Sequence, residues 1–505
     1  MDTLRKTPEL LTPAEMGECD RLTVAGGVPG IVLMERAGAG VAEASEKLCP
    51  TRGRVKILCG PGGNGGDGFV AGRRLAERGF AVELYLLGDR ATLKGDPALA
   101  AVRYDGPALP GEAFDAAGAD VVIDALYGAG LARDVGGAAR RCLESIADSS
   151  ARVVAVDVPS GIDGATGAVR GFAARADVTV TFHRFKPGHL LYPGREYCGE
   201  LALVDIGISA AAMARVAPKT FANSPTLWGE RLPRPGAASY KFSRGAALIL
   251  TGGAHRTGAA RIAARAALRV GAGLVALASP LESVAVNSVH VTAVMIEPFD
   301  GPTGFAKLLA DVRRNAILLG PGAGVTADTR ALVEAALTEP CERPRAVVID
   351  ADAISVFAGD STALAALIGL ERRATILTPH EGEFARLFRN RAEILAAPSK
   401  LAKARAAAAA LGAVVVYKGA DSVVASPDGR ASIGFDLPPW LATAGSGDAL
   451  AGFCCGLLAQ GMPAFEAASA AVWLHGAAAR AFGPGLIAED IAEALPGVLR
   501  ELWRV

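Results

Sequence analysis

The sequence predicts an α/β protein of two domains, each built on a mainly parallel sheet. Three observations predict it: the length of the chain, the alternation of strand-like and helix-like runs, and one proline-rich break in that alternation. At 505 residues the chain exceeds the roughly 250–300 residues at which a single hydrophobic core stops growing. Short β-branched runs (RVKILC, AVELYLL, DVVIDA, ARVVAVDVP, DVTVTF, LALVDIG) alternate with Ala- and Arg-rich stretches such as GFVAGRRLAERG, the rhythm of βαβ units. It lapses between Gly207 and Ala238, where NSPTLWGERLPRPGAAS carries prolines that suit neither central strands nor helix interiors. A second series follows: AALILTGG, GLVALAS, VTAVMIE, AILLGPG, AVVIDAD, ATILTPH and AVVVYKG, closed by apolar helices. The boundary is expected near Ser224, giving domains 1–223 and 224–505. The halves share no motif, so two different domains are joined rather than one duplicated.

Composition narrows the chemistry. Lys plus Arg and Asp plus Glu both number 52, with no dense basic stripe, which argues against a nucleic-acid partner. The opening MDTLRKTPELLTP lacks the apolar core of an export signal. The uncharged run from Ala449 to Phe465, interrupted by Gln460 and Pro463, falls short of the about 20 apolar residues that span a bilayer; it reads as a buried helix, and no membrane partner is expected. Eight cysteines without a C-x-x-C pair suggest neither a zinc ribbon nor a disulfide framework. A reducing cytoplasm and small-molecule substrates fit.

The run Gly60-Pro61-Gly62-Gly63-Asn64-Gly65-Gly66-Asp67-Gly68 joins the strand ending at Cys59 to a helix expected to begin near Phe69. It contains G-x-G-x-x-G, yet Asp67 stands where a phosphate would meet the helix dipole, which weakens a plain dinucleotide reading. A tight turn with Asp67 capping the helix is the alternative. Asp124 and Asp157 each end a strand, and in a parallel sheet such ends emerge at the edge where ligands bind. Two carboxylates, an amide and the Ser160 hydroxyl offer hard oxygen ligands for a cation and polar groups for a sugar-phosphate ligand.

Leu11 to about Gly207 resembles the NAD(P)H-hydrate epimerase family through Leu33-Met34-Glu35-Arg36-Ala37-Gly38, the glycine loop, and Asp157-Val158-Pro159-Ser160-Gly161. The resemblance implies a Rossmann-like domain that binds hydrated NADH or NADPH along Gly63, Asn64, Gly65, Gly66 and Asp67 and along Gly128, Ala129, Gly130, Leu131, Ala132, Arg133 and Asp134. It also implies K+ near Asn64, Asp124 and Ser160, with Asp157 as acid/base group and Lys186 as an assistant, although a lysine in such a loop is more often simply solvated at the surface. One departure is Gly63, where the family carries a first Asn. An amide contact is lost there.

In the second half, Gly445-Ser446-Gly447-Asp448 opens the long apolar run. Successive backbone N–H groups in such a turn, with the helix dipole behind them, form an anion cradle, and Asp448 beside it can serve as general base. Gly320-Pro321-Gly322-Ala323-Gly324, Asp350, Asp352, Thr378-Pro379-His380-Glu381-Gly382-Glu383 and Lys418-Gly419 follow strands in turn. This half resembles the ribokinase-like superfamily and, within it, the ADP-dependent NAD(P)H-hydrate dehydratases. The resemblance implies hydrated cofactor near Ala259, Ala260, Gly322, Gly324, His380 and Asp448. It places the adenine nucleotide near Lys418, Gly419, Ala420, Asp421, Ser422 and Gly447. ADP, or ATP in some relatives, would be consumed with Mg2+. Assembly through homotypic contacts is expected. The alternative is a ribokinase-like vitamin or sugar kinase with a non-catalytic ligand-binding first half.

Overall fold

A computed structural model describes residues 6–49, 52–343, 345–371 and 373–504; the first five residues of the opening segment lie outside it. The chain divides into two compact units, Met1–Thr220 and Phe221–Val505.

The first unit carries seven parallel strands: β1 (Arg54–Cys59), β2 (Ala81–Leu86), β3 (Ala108–Pro110), β4 (Val121–Ala125), β5 (Arg152–Val156), β6 (Val178–Phe182) and β7 (Glu200–Val204). Their order is β3-β2-β1-β4-β5-β6-β7. The order reverses between β1 and β4, and at such a switch point the loops diverge to leave a ligand crevice. Strand alternation feeds two cores. Val55, Ile57 and Cys59 face one, with Val41 and Phe69; Leu58 faces the other, with Leu143 and Ile146. Helices α1 (Pro13–Ala25), α2 (Gly30–Leu48) and α3 (Gly63–Glu77) bear on the first core and α4 (Gly137–Asp148) on the second. Each fully buried Val, Leu or Ile contributes about 1.5–3 kcal/mol, so the sheet edge that carries the site is firmly fixed.

Helix α3 begins at Gly63, six residues before the expected start at Phe69. Its N-cap is Gly62, without a side-chain cap, and Asp67 lies inside the helix rather than capping it. Glycine hides the start because it is a poor helix former. Here its lack of a Cβ is what lets α3 close on the sheet: a Cβ on Gly65 would stand 1.8 Å from the Gly60 carbonyl oxygen, and one on Gly68 2.6 Å from Cys59 Sγ.

In the second unit, the strands between residues 246 and 433 are β8 (Ala246–Leu250), β9 (Leu274–Pro280), β10 (Met295–Phe299), β11 (Ala316–Leu319), β12 (Ala346–Ile349), β13 (Thr375–Leu377), β14 (Val414–Tyr417), β15 (Val423–Ala425) and β16 (Ala431–Ile433). They run in the order β16-β15-β14-β13-β12-β11-β8-β9-β10, parallel except where β15 pairs antiparallel with β14 and β16. The switch point lies between β8 and β11. Helix α5 (Gly258–Arg269) follows β8 and α6 (Ala327–Thr338) follows β11, and α5 packs against the buried α7 (Ser446–Ala459) through small residues. A Cβ on Gly452 would stand 2.3 Å from the Ala263 carbonyl oxygen, and one on Gly456 2.5 Å from Val270. The uncharged run read as one helix breaks after Ala459, and the next helix starts at Ala464: Gly461, at φ 84°, turns the chain.

Candidate active sites

In the first unit Asp157 follows β5 directly, with φ of 66°, a left-handed conformation that costs a non-glycine residue energy and persists only where its surroundings impose it. Two bonds impose it here. The Asp157 amide donates to the Val180 carbonyl at 2.7 Å, and His189 Nε2 donates to the Asp157 carbonyl at 2.7 Å. His189 Nδ1 accepts the Lys186 amide at 2.9 Å, which leaves the ring proton on Nε2, and burial holds this histidine down to about 4, so it is neutral.

The strained backbone aims the Asp157 carboxylate at three donors. Lys186 Nζ donates to Oδ1 at 2.5 Å, Thr181 Oγ1 to Oδ1 at 3.0 Å and the Ala129 amide to Oδ2 at 3.1 Å. Lys186 is only 1 % exposed; it is a buried partner of Asp157 rather than a solvated lysine. Burial pushes the Asp157 carboxyl up, but the Lys186 charge and hydrogen bond outweigh it and hold the group below the usual carboxylate range. The pair opens on a cleft of about 290 Å³ whose walls include Gly63, Asn64, Asp67 and Asp20. Burial, then the charges of Asp157 and Asp20, drive Asp67 well above its ordinary value.

Asn64 turns its amide to the Val156 carbonyl at 2.6 Å, and its Oδ1 is 2.3 Å from where a Cβ on Gly128 would sit. Beside it, Asp124 accepts the Ser160 hydroxyl at 2.6 Å and the Ser160 amide at 2.8 Å. Asp124 is 1 % exposed and, among the described residues, forms no ion pair. Burial raises the Asp124 carboxyl above its ordinary value against the Ser160 hydrogen bonds; a monovalent cation held by its oxygens with those of Asn64 and Ser160, all hard donors, would favour the ionised form. The segment Gly128 to Asp134 meets the site only at its start; Gly130 and Ala132 to Asp134 are exposed. Gly63 lines the cleft, and a Cβ there would meet nothing within 4 Å.

In the second unit the carboxyl edge brings the expected residues to one place. Gly445 takes φ of 86°, and α7 starts at Ser446 without a side-chain cap; the Ser446 amide reaches the Thr443 carbonyl at 3.4 Å, and the Gly447 and Asp448 amides that follow are placed to meet an anion. Lys418, at the end of β14, donates to Asp350 Oδ1 at 2.9 Å and lies 3.9 Å from Glu383 Oε2. Its Nζ is 3.3 Å from where a Cβ on Gly447 would sit. Lys418 therefore lies beside the start of α7 as well as at the head of the Gly419–Ser422 turn. Burial pulls its ammonium down, yet Asp350 and Glu383 hold it above its ordinary value. Burial, then Asp350, raise Asp448 to about 7, against the pull of Lys418. Asp350 also accepts the Thr378 hydroxyl at 2.7 Å, and Asp352 Oδ2 accepts the Gly324 amide at 2.8 Å.

His380 is the N-cap of a short helix, with its Nδ1 accepting the Gly382 amide at 2.9 Å and its ring exposed. Asp421 is ion-paired with Lys400 at 2.7 Å, and Ser422 Oγ closes the turn on the Gly419 carbonyl at 2.8 Å, leaving Ala420 exposed. Ala260 is buried in α5 and Ala259 half-buried. Gly322 (φ 69°) and Gly324 (φ 84°) wrap Arg256, whose carbonyl oxygen would be 2.4 Å from a Cβ on Gly322. Among the described residues no cluster of three His, Cys, Asp or Glu is set to hold a metal ion. A separate cavity of about 830 Å³, lined by Asn315, Arg345 and Met462 among others, lies at the opposite, amino edge of the sheet.

Residues 247–495 match the family model described as NAD(P)H-hydrate dehydratase, and residues 30–188 the YjeF-related protein N-terminus. The bifunctional NAD(P)H-hydrate repair enzyme Nnr of Salinibacter ruber is 36% identical over 98% of this chain and 96% of its own. That of Thermofilum pendens is 35% identical over 94% and 93%. The chain belongs to the family of bifunctional NAD(P)H-hydrate repair enzymes. A solved ADP/ATP-dependent NAD(P)H-hydrate dehydratase from Bacillus subtilis, co-crystallised with ATP/Mg2+, is 28% identical, with a TM-score of 0.44, over 54% of this chain and 94% of that one.

Within this repair-enzyme chain, sequence reasoning passed over Asp20, His189 and His475. His475 Nε2 reaches the Ser446 carbonyl at 2.9 Å beneath the cradle, in a stretch of α-helix that reads only as apolar core. Asp20 had a signal: it interrupts the stripe Met16, Asp20, Val24 along one face of α1.

Proposed function

We propose that this chain repairs hydrated NADH and NADPH, with residues 1–223 interconverting the R and S hydrates and residues 224–505 using ADP to dehydrate the S form to NAD(P)H, AMP and phosphate. The observation that carries the reading is the pairing, in one chain, of an ionised Asp157–Lys186 couple in a cleft with an uncapped helix terminus flanked by Lys418 and Asp448. In the first site Asp157 takes the proton of a water adding to the ring, and Lys186 keeps it charged between turnovers. In the second, Asp448 takes the proton of the ring hydroxyl as its oxygen bonds to the terminal phosphoryl of ADP and the bond to AMP breaks. Phosphate then leaves with the hydroxyl oxygen, and loss of a ring proton restores the double bond.

The adenine nucleotide lies along Lys418 to Ser422, with its phosphates on Gly445 to Gly447. ATP is an alternative donor. Mg2+ comes with the nucleotide phosphates, and K+ takes the Asn64, Asp124 and Ser160 oxygens. The eight cysteines are unpaired, which suits a reducing, cytoplasmic setting, and homotypic assembly is checked by sedimentation.

The test is recovery of reduced-nicotinamide absorbance from a mixture of NADH hydrate epimers with Mg2+ and ADP or ATP. Full recovery supports both activities once spontaneous epimerisation is subtracted. Recovery that stops at the S fraction removes the epimerase and leaves a first unit that only binds. No recovery with either nucleotide overturns the reading in favour of a small-alcohol kinase.

A further inference from the structure

Epimerisation at a hydrated ring carbon makes a geometric demand that one acid/base group does not meet. The hydroxyl must leave from one face and water must add to the other, whereas a single group beside one face returns the oxygen to the side it left. Asp157 is fixed at the strand edge by Lys186, Thr181 and Ala129. Another wall of the same cleft is α1, which presents Met16, Asp20 and Val24, and Asp20 is the polar member of that stripe. Among the described residues Asp20 Oδ1 is buried without a hydrogen-bond partner, an arrangement that costs stability and calls for a reason.

We propose that Asp20 is the second acid/base residue of the epimerase site, acting on the ring face opposite Asp157. This rests on the epimerase activity proposed above. Asp20 as the acid donates its proton to the ring hydroxyl; the C–O bond breaks, water leaves, and the lone pair of the ring nitrogen forms a C=N bond. A water then bonds to the other face while Asp157 takes its proton and the nitrogen recovers its pair. The reverse reaction exchanges the two roles.

The charged groups around Asp20 suit the task. Lys186, Asp157, Asp67 and Asp96 share the cleft. Burial, opposed by Lys186 and aided by Asp157, sets Asp20 at about 6, while Asp157 is held low; groups pushed apart in this way divide into acid and base. Asp67, on α3, is raised above its ordinary value by burial and by the charges of Asp157 and Asp20.

The experiment incubates the full-length chain, Asp20→Asn, Asp20→Glu and Asp157→Asn with one purified epimer in H2¹⁸O, scoring epimerisation and ¹⁸O uptake separately. The wild type is expected to epimerise and label both forms. Asp20→Asn is expected to lose about 100-fold or more of epimerisation while still labelling the epimer whose hydroxyl faces Asp157. Asp157→Asn gives the mirror pattern, and Asp20→Glu recovers part of the loss. Wild-type epimerisation in Asp20→Asn, or equal loss of labelling in both epimers, overturns the inference; urea unfolding of the first unit, followed by circular dichroism, reports folding in each variant. Failure of the wild type itself to epimerise overturns the activity assigned to the first unit, and this inference with it.

Discussion

Both units set a glycine loop at the start of a helix and a carboxylate beside it, yet the two loops do opposite work. In the first, Gly60, Gly65, Gly66 and Gly68 each have a neighbouring atom within 2.6 Å of where a Cβ would sit; those glycines serve close packing. In the second, a Cβ on Gly447 would approach nothing closer than the Lys418 ammonium, and the helix terminus stays open to an anion. The two carboxylates proposed as catalytic diverge in the same sense: Asp157 is held low by a buried cation, whereas Asp448 is raised to about 7 by burial and Asp350. A glycine pattern therefore states only that backbone comes close. The charges around it decide what the backbone comes close to.

The contrast can be broken from either side. The largest expected effect is on Asp448→Asn, which should lower kcat for dehydration of the S hydrate by about 10²- to 10⁴-fold, read as absorbance recovery, with epimerisation intact. Next is Lys186→Met, which leaves the Asp157 carboxylate buried and unpaired. The first unit should lose about 3–5 kcal/mol of stability in urea unfolding followed by circular dichroism, and epimerisation should fall while dehydration of pre-formed S hydrate persists.

The state of Asp448 sharpens the comparison further. As a general base raised to about 7, it should give kcat/KM for dehydration that climbs with pH and levels off above about 7. Asp350→Asn should move that inflection lower. Because the folded value lies above the unfolded one, ionising Asp448 weakens the fold, increasingly so from the unfolded value near 4 up to about 7. Asp448→Asn should therefore raise the melting temperature of the second unit by a few degrees, more at pH 8 than at pH 5. The smallest effect concerns the first loop. Gly63→Asn, entering open space, should shift stability by no more than about 0.5 kcal/mol, whereas Gly65→Ala should cost about 1–3 kcal/mol, both measured by urea denaturation.

The parallel α/β make-up of each unit and the placing of Asp350 and Lys418 at strand ends follow from short β-branched runs that each end in a polar residue, so this part of the architecture was legible in the sequence, whereas the order of the strands was not. What was not legible depended on tertiary placement. The start of α3 was masked by glycines that read as loop. Lys186 looked like an ordinary surface lysine because its burial is imposed by the Pro187–His189 turn, and its bond to Asp157 spans 29 positions. The role of Lys418 at the cradle depends on β14 ending beside α7, which no local spacing encodes. Gly63 was visible as a departure, but only the open space around its Cα shows that an amide would fit there.

The close contact of α7 with α5 bears on how nucleotide affinity arises. Gly452 and Gly456 let two helices lock along successive turns, so the amides at the front of α7 belong to a rod that the whole core holds still. The ordering entropy of that surface is spent when the chain folds, and an arriving phosphate finds it already immobile. Widening the helix pair with a single methyl at Gly452 would loosen nucleotide binding from two turns away, without touching one atom that meets the ligand.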